Sequence, residues 1–143
     1  MRVVEADHVS PDLVAAFTRL VNQLSRTSAP PTIGDLKDMV DAPGTRLLLA
    51  IDDSGHIAGS LTLVVFHIPT GVRALIEDVV VDEGARRQGI GAGLVEHARR
   101  LAAEAGARTV DLTSRPSREA ANRLYAKLGF ERRDTNVYRL ELD

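Results

Sequence analysis

Three features of the 143-residue chain predict an α+β fold, with a mixed, mostly antiparallel sheet flanked by helices. Three dense apolar stretches, residues 46–51, 56–68 and 72–81, are separated by the turn signals DDSG and PTG, as in an antiparallel meander. The last stretch runs through glycines into a helical apolar pattern, and residues 109–113 then read as a further strand, completing one strand-helix-strand unit. No internal repeat, low-complexity segment or linker breaks this order, so one domain over residues 1–143 is expected.

Each element has a local reason. Residues 2–6 suit a short first strand. Ser10 followed by Pro11 reads as an N-cap with proline at the first helical position, and Leu13, Phe17, Leu20, Val21 and Leu24 follow at helical spacing. SRTSAPP, residues 25–31, ends that helix. Thr32 with Asp35 three residues on starts a shorter one, which DAPG, residues 41–44, stops. Residues 72–81 are dense enough in Val, Ile and Leu to be a central strand buried on both faces. Leu94, Val95, Ala98, Leu101, Ala102 and Ala105 make one helix face, closed by Gly106, with Glu96 and Arg100 spaced for a surface ion pair opposite. Ala120, Ala121, Leu124 and Leu128 mark another helix, which stops at Gly129. A last strand is expected over residues 137–142.

Composition narrows the function classes. A formal net charge of -2 implies no general attraction to nucleic acid or acidic lipid. The absence of cysteine excludes disulfides, thiolate metal sites and an acyl-cysteine intermediate. No apolar run reaches the roughly 18 residues of a membrane helix, and the N-terminus carries no signal-peptide pattern, so a cytoplasmic protein with no membrane partner is expected. Histidines 8, 56, 67 and 97 show no metal spacing such as H-E-x-x-H, and there is no G-x-S-x-G elbow. No metal site is expected.

The chemistry concentrates in GARRQGIGAG, residues 84–93, at the junction of strand and helix. Glycines there leave N–H groups bare at a helix N-terminus, which with the helix dipole favours a phosphate or diphosphate. Arg86 and Arg87 add charge-assisted donors. The other reading is a tight turn with solvated arginines. A Walker loop needs Lys and then Ser or Thr after its last glycine, whereas Gly89 is followed by Ile90 and Gly91. The spacing Gly89, Gly91, Gly93 also departs from the dinucleotide fingerprint G-x-G-x-x-G.

Arg86-Arg87-Gln88-Gly89-Ile90-Gly91 does resemble the Arg/Gln-x-x-Gly-x-Gly/Ala signature of the GNAT acetyltransferase superfamily. IEDVVV before it and AANRLYAKLGF about thirty residues after it extend the likeness over residues 75–130. The resemblance implies a sheet with splayed central strands and acetyl-coenzyme A as the ligand. Val79, Val80 and Val81 would line the pantetheine arm, with a backbone N–H near Val80 polarising the thioester carbonyl. Arg86, Arg87, Gln88, Gly89, Ile90 and Gly91, with Ala92 beside them, would wrap the pyrophosphate.

On the following helix pattern, Arg118, Asn122 and Tyr125 fall on one stripe at i, i+4 and i+7. In the family a tyrosine at the position of Tyr125 approaches the coenzyme sulfur and protonates the leaving thiolate, a task suited to a phenol of pKa near ~10. Where many members have asparagine, seven residues earlier, this chain has Arg118; Asn122 is the candidate for the missing amide contact. Some members use a glutamate at the position of Glu77 as the base, often through water; Asp78 then reads as a bracing carboxylate. Period-two geometry would send the two to opposite faces, and both are equally readable as hydrogen-bonded structural groups.

The implied activity is acetyl-coenzyme A-dependent N-acetylation of a primary amine by direct attack in a ternary complex. IEDVVV is also similar to the corresponding strand of aminosugar-phosphate acetyltransferases, but peptide N-termini, polyamines, amino acids and aminoglycosides stay open as acceptors. In the family, selectivity comes from the segment between the first two helices and from the final hairpin, here SRTSAPP and RRDTN, residues 132–136. A homodimer is common in the superfamily, and the last strand is a candidate edge. Two other classes compete: a non-catalytic coenzyme A-binding regulatory module and a nucleotide-binding domain.

Overall fold

Five strands form one sheet in the order β1-β2-β3-β4-β5: Arg2–Glu5, Thr45–Ile51, Ile57–Ile68, Gly71–Val81 and Val110–Asp111. The first four pair antiparallel and β4 pairs with β5 in parallel, so the meander and the strand-helix-strand unit both form as expected. The computed structural model describes residues 1–142, in two units, residues 1–113 and residues 114–142.

In the first unit the helices start where their caps dictate. α1 (Pro11–Leu24) begins after Ser10, whose Oγ accepts from the Leu13 N–H at 3.1 Å. α2 (Ile33–Asp41) begins with a full capping box, in which Thr32 Oγ1 accepts from the Asp35 N–H at 3.1 Å and Asp35 Oδ2 from the Thr32 N–H at 2.8 Å. α1 and α2 close one face of the sheet over Leu13, Phe17, Leu36, Leu47, Leu49 and Ile51. The alternate residues of β2, Leu48 and Ala50, are also fully buried, and α3 (Ile90–Glu104) packs on β2, β3 and β4. The strand buried on both faces is therefore β2; β4 buries only Ala74, Ile76 and Val80 and exposes Glu77 and Asp78. Density of Val and Ile alone does not tell the two apart, because helices cover β2 from both sides. On α3, Glu96 pairs with Arg99 at 3.2 Å and Arg100 with His97 Nδ1 at 3.1 Å, so the expected Glu96–Arg100 pair is not made.

The expected strand over residues 109–113 shortens to Val110–Asp111. In the second unit α4 (Glu119–Lys127) forms as expected, and Gly129 follows it at φ 99°. The strand expected over residues 137–142 does not form: residues 131–142 are without regular structure, and Val137, Tyr138, Leu140 and Leu142 are exposed. Alternating apolar residues give a segment strand propensity, but a strand exists only when its backbone groups find a ladder, and this segment has none among the described residues. The final hairpin around residues 132–136 is absent with it, leaving Arg132 and Arg133 exposed.

Candidate functional site

β4 and β5 pair only at Ala74 with Val110 and Leu75 with Asp111. β4 continues to Val81, so residues 76–81 run on without a β5 partner, opening the sheet on that side. Val79, Val80 and Val81 lie on this unpaired stretch, with Val80 7% exposed. An edge of this kind presents main-chain N–H and C=O groups to a ligand as it would to another strand.

Beyond Val81 the chain turns through a short 3-10 segment, Glu83–Ala85, into the glycine stretch. α1 braces the start of that turn. Asp82 accepts from Arg19 Nε at 2.8 Å and from Gln23 Nε2 at 3.1 Å, while the Glu83 N–H donates to Gln23 Oε1 at 2.7 Å. The Gln23 hydrogen bond, helped by Arg19, holds the Asp82 carboxyl below the usual carboxylate range. Arg86 Nε donates to the Val81 carbonyl at 3.4 Å, Arg87 is held at φ 67°, and Gly89, at φ 77°, is the N-cap residue of α3. No side chain caps this helix, so its first N–H groups keep their donor capacity. A Cβ on Gly89 would meet nothing within 4 Å, so the left-handed backbone, not crowding in the protein itself, requires glycine there. At Gly93 a Cβ would come within 2.8 Å of Met1 Cε, the far end of a flexible side chain. Ile90, Gly91 and Ala92 form the first turn of α3, with Ile90 buried, and Gln88 is exposed just before it.

On the sheet face covered by α1 and α2, a cavity of about 320 Å³ lies against β3 and β4. Its wall is mainly apolar and includes Phe17, Val21, Leu36 and Met39; Val80 and Asp78 enter it from β4. Glu77 does not line it. The register explains this outcome. Thr62 pairs with Glu77 and Ser60 with Val80, so two residues of β4, Asp78 and Val79, oppose Leu61 alone, a β-bulge. With Asp78 at φ 50°, the alternation that would send Glu77 and Asp78 to opposite faces breaks at this point. Both carboxylates are exposed, but Asp78, read from sequence as a bracing group, is the one that lines the cavity, and Glu77 does not. Two adjacent acidic residues in an apolar strand were the available signal, though a bulge leaves no mark in residue periodicity. Asp78 and Arg87 are the two non-glycine residues at positive φ among the described ones, and both belong to this region.

In the second unit, Tyr125 is 8% exposed and stacks edge-to-face on Phe130, with ring centroids 5.9 Å apart. Burial pushes its phenol up, and Arg118 opposes the shift. Asn122 donates Nδ2 to the Arg115 carbonyl at 2.9 Å, so one of its amide N–H groups is already committed to closing the turn before α4.

A model of the acetyltransferase (GNAT) family matches residues 13–130. The chain belongs to the GNAT acetyltransferase family. Among curated protein sequences there is no match. Solved structures share the fold of this acetyltransferase-family chain over nearly its whole length. A provisionally assigned acetyltransferase from Agrobacterium tumefaciens str. C58 superposes with a TM-score of 0.87 at 23% identity, covering 99% of this chain and 100% of that one. A Trypanosoma brucei acetyltransferase gives 0.80 at 25% identity, covering 99% of each chain. An aminoglycoside acetyltransferase from an uncultured soil metagenomic sample gives 0.77 at 19% identity, covering 98% and 96%.

Proposed function

We infer that this GNAT-family protein is an acetyl-coenzyme A-dependent N-acetyltransferase that modifies a primary amine by direct attack in a ternary complex. The observation that carries this reading is the run of β4 past its last β5 partner into a left-handed glycine and an uncapped helix N-terminus. The residues present fit the coenzyme. Val79 to Val81 offer the strand edge left without a β5 partner to the amide-bearing pantetheine arm, and the amides of Gly89, Ile90, Gly91 and Ala92 face its diphosphate with Arg86, Arg87 and Gln88. When bound, acetyl-coenzyme A supplies the activated acetyl group as a thioester.

The chain's own groups then divide the work. A backbone N–H near Val80 donates to the acetyl carbonyl oxygen and stabilises the charge that builds there. The acceptor nitrogen forms the new N–C bond as the C–S bond breaks. Glu77, exposed beside the bulge, receives the amine proton through water and returns it to solvent. Tyr125 protonates the departing thiolate and is reprotonated from water. A phenol carries its proton throughout the neutral range, and burial pushes this one further up. With no cysteine in the chain, no acyl-thiol relay on the protein enters the scheme.

The test pairs ligand binding with turnover. Coenzyme A is expected to raise the melting temperature in proportion to the logarithm of its concentration, whereas ATP and NAD leave it unchanged. Thiol release and an acetyl mass gain on an amine acceptor are expected in the same preparation. Stabilisation by coenzyme A without turnover on any amine would leave a sensor module; stabilisation by ATP or NAD alone would refute the coenzyme reading.

A further inference from the structure

We propose that the cavity between α1, α2 and the β3–β4 bulge selects a primary amine with an apolar body and no anionic group, held by its ammonium against Asp78. This rests on the acetyltransferase reading and goes further by naming the acceptor's chemistry. Four observations support it.

The cavity adjoins the proposed acyl-donor channel through Val80, whose side chain enters it while its strand carries the pantetheine stretch. Its volume of about 320 Å³ has room for roughly ten water-sized groups, enough for a small molecule and too little for a folded partner. Its wall is mainly apolar, so an acceptor's hydrocarbon body is drawn in by loss of contact with water.

The fourth observation is the balance of charge. Among the described lining residues there is no Lys or Arg, and the charged groups are Asp35 and Asp78. Asp35 is committed to the capping box, and the hydrogen bond from the Thr32 N–H holds its carboxyl below the ordinary range. Asp78 has no ion pair or hydrogen bond to its carboxylate among the described residues, and the bulge aims it into the cavity. An exposed, unpartnered carboxylate at the edge of an apolar wall suits an ammonium group. A phosphorylated or carboxylated acceptor would bring an anion beside two carboxylates without a compensating cation. The likeness of IEDVVV to aminosugar-phosphate enzymes therefore does not extend to the acceptor in this reading. A diamine or aminoglycoside would bury its additional cations against apolar wall.

The experiment uses purified protein and four acceptor groups: straight-chain alkylamines from propyl to octyl, 2-phenylethylamine, putrescine, and glucosamine 6-phosphate. Thiol release gives kcat/KM, calorimetry gives hexylamine binding to the protein–coenzyme A complex, and melting shifts report coenzyme A binding independently. The expected result is a rise in kcat/KM of about three- to fourfold per added methylene until the cavity is full. Asp78→Asn should raise KM for hexylamine by about tenfold while the coenzyme A melting shift stays intact. Asparagine tolerates a left-handed backbone, so this variant keeps the bulge.

If coenzyme A stabilises the protein but glucosamine 6-phosphate or putrescine is acetylated at least as well as hexylamine, the selectivity proposal is overturned and the enzyme reading stands. Failure of hexylamine to bind in calorimetry, or an unchanged KM in Asp78→Asn, overturns it as well. Absence of any coenzyme A melting shift removes the acetyltransferase reading itself.

Discussion

Replacing Gly89 by Ala, Asn and Asp in parallel separates the backbone cost of the loop from its ligand-binding role. Gly89 sits at φ 77° with open space around a would-be Cβ, so Ala adds strain but no clash in the free protein. An L-residue forced into the left-handed region costs about 1–2 kcal/mol. With an unfolding entropy of about 2.1 cal/mol/K per residue, a chain of this length has ΔS near ~0.3 kcal/mol/K, so that cost lowers Tm by roughly 3–7 °C. Asn and Asp tolerate the left-handed region better and should melt closer to the parent. Their effects on coenzyme A should diverge. Asn places bulk where the diphosphate would lie, whereas Asp adds a negative charge as well. At a separation of ~6 Å and an effective dielectric constant of ~20, one such repulsion is about 3 kcal/mol, or roughly a hundredfold in affinity. Calorimetric titration with coenzyme A, beside melting curves without ligand, reads both quantities. If Gly89→Asp binds coenzyme A as tightly as Gly89→Asn, the amides of this turn do not hold the diphosphate.

Tyr125→Phe should lower kcat by about a hundredfold or more while the Kd for coenzyme A changes little; a loss confined to Kd would show that the phenol only packs against the ligand. The same variant has a stability signature. Because burial raises the folded phenol pKa, the native state holds its proton more tightly than the unfolded state, and the resulting stability is lost as pH rises through the folded value. Tyr125→Phe should therefore flatten the fall in urea stability above about pH 10, and an unchanged alkaline limb would contradict the burial argument. Asp82→Asn removes the ion pair to Arg19 and alters the acceptor for Gln23, and should cost about 1 kcal/mol at pH 7. Asp82 is depressed in the folded state, so its contribution is complete above the ordinary carboxylate range and disappears as pH falls below about 4. Urea melts at pH 7 and pH 3 should show the gap between parent and variant closing. A gap that persists at pH 3 would mean that neutral packing carries the effect.

Local chemistry made much of the fold legible. Ser10-Pro11 and Thr32 with Asp35 named two helix starts because a cap depends on residues three positions apart, and both caps form as written. The turns DDSG and PTG delimited the meander for the same reason. The glycine stretch announced a turn into a helix, and that turn forms, with Arg87 and Gly89 in the left-handed backbone. What sequence left undecided depends on partners distant in the chain. β2 rather than β4 is buried on both faces because helices from distant segments cover it. Residues 137–142 have the alternation of a strand and no ladder to join.

The choice between Glu77 and Asp78 was the most consequential of these. Their order in the chain is plain, but which one faces a cavity depends on a bulge where Asp78 and Val79 share a single partner, Leu61. Sequence by itself determined the caps, the turns and the donor-rich bend, because each is specified by a few neighbouring residues. The tertiary structure alone decided which strand is covered, where the sheet opens and which carboxylate meets the cavity, because pairing register is a relation between strands and no single strand encodes it.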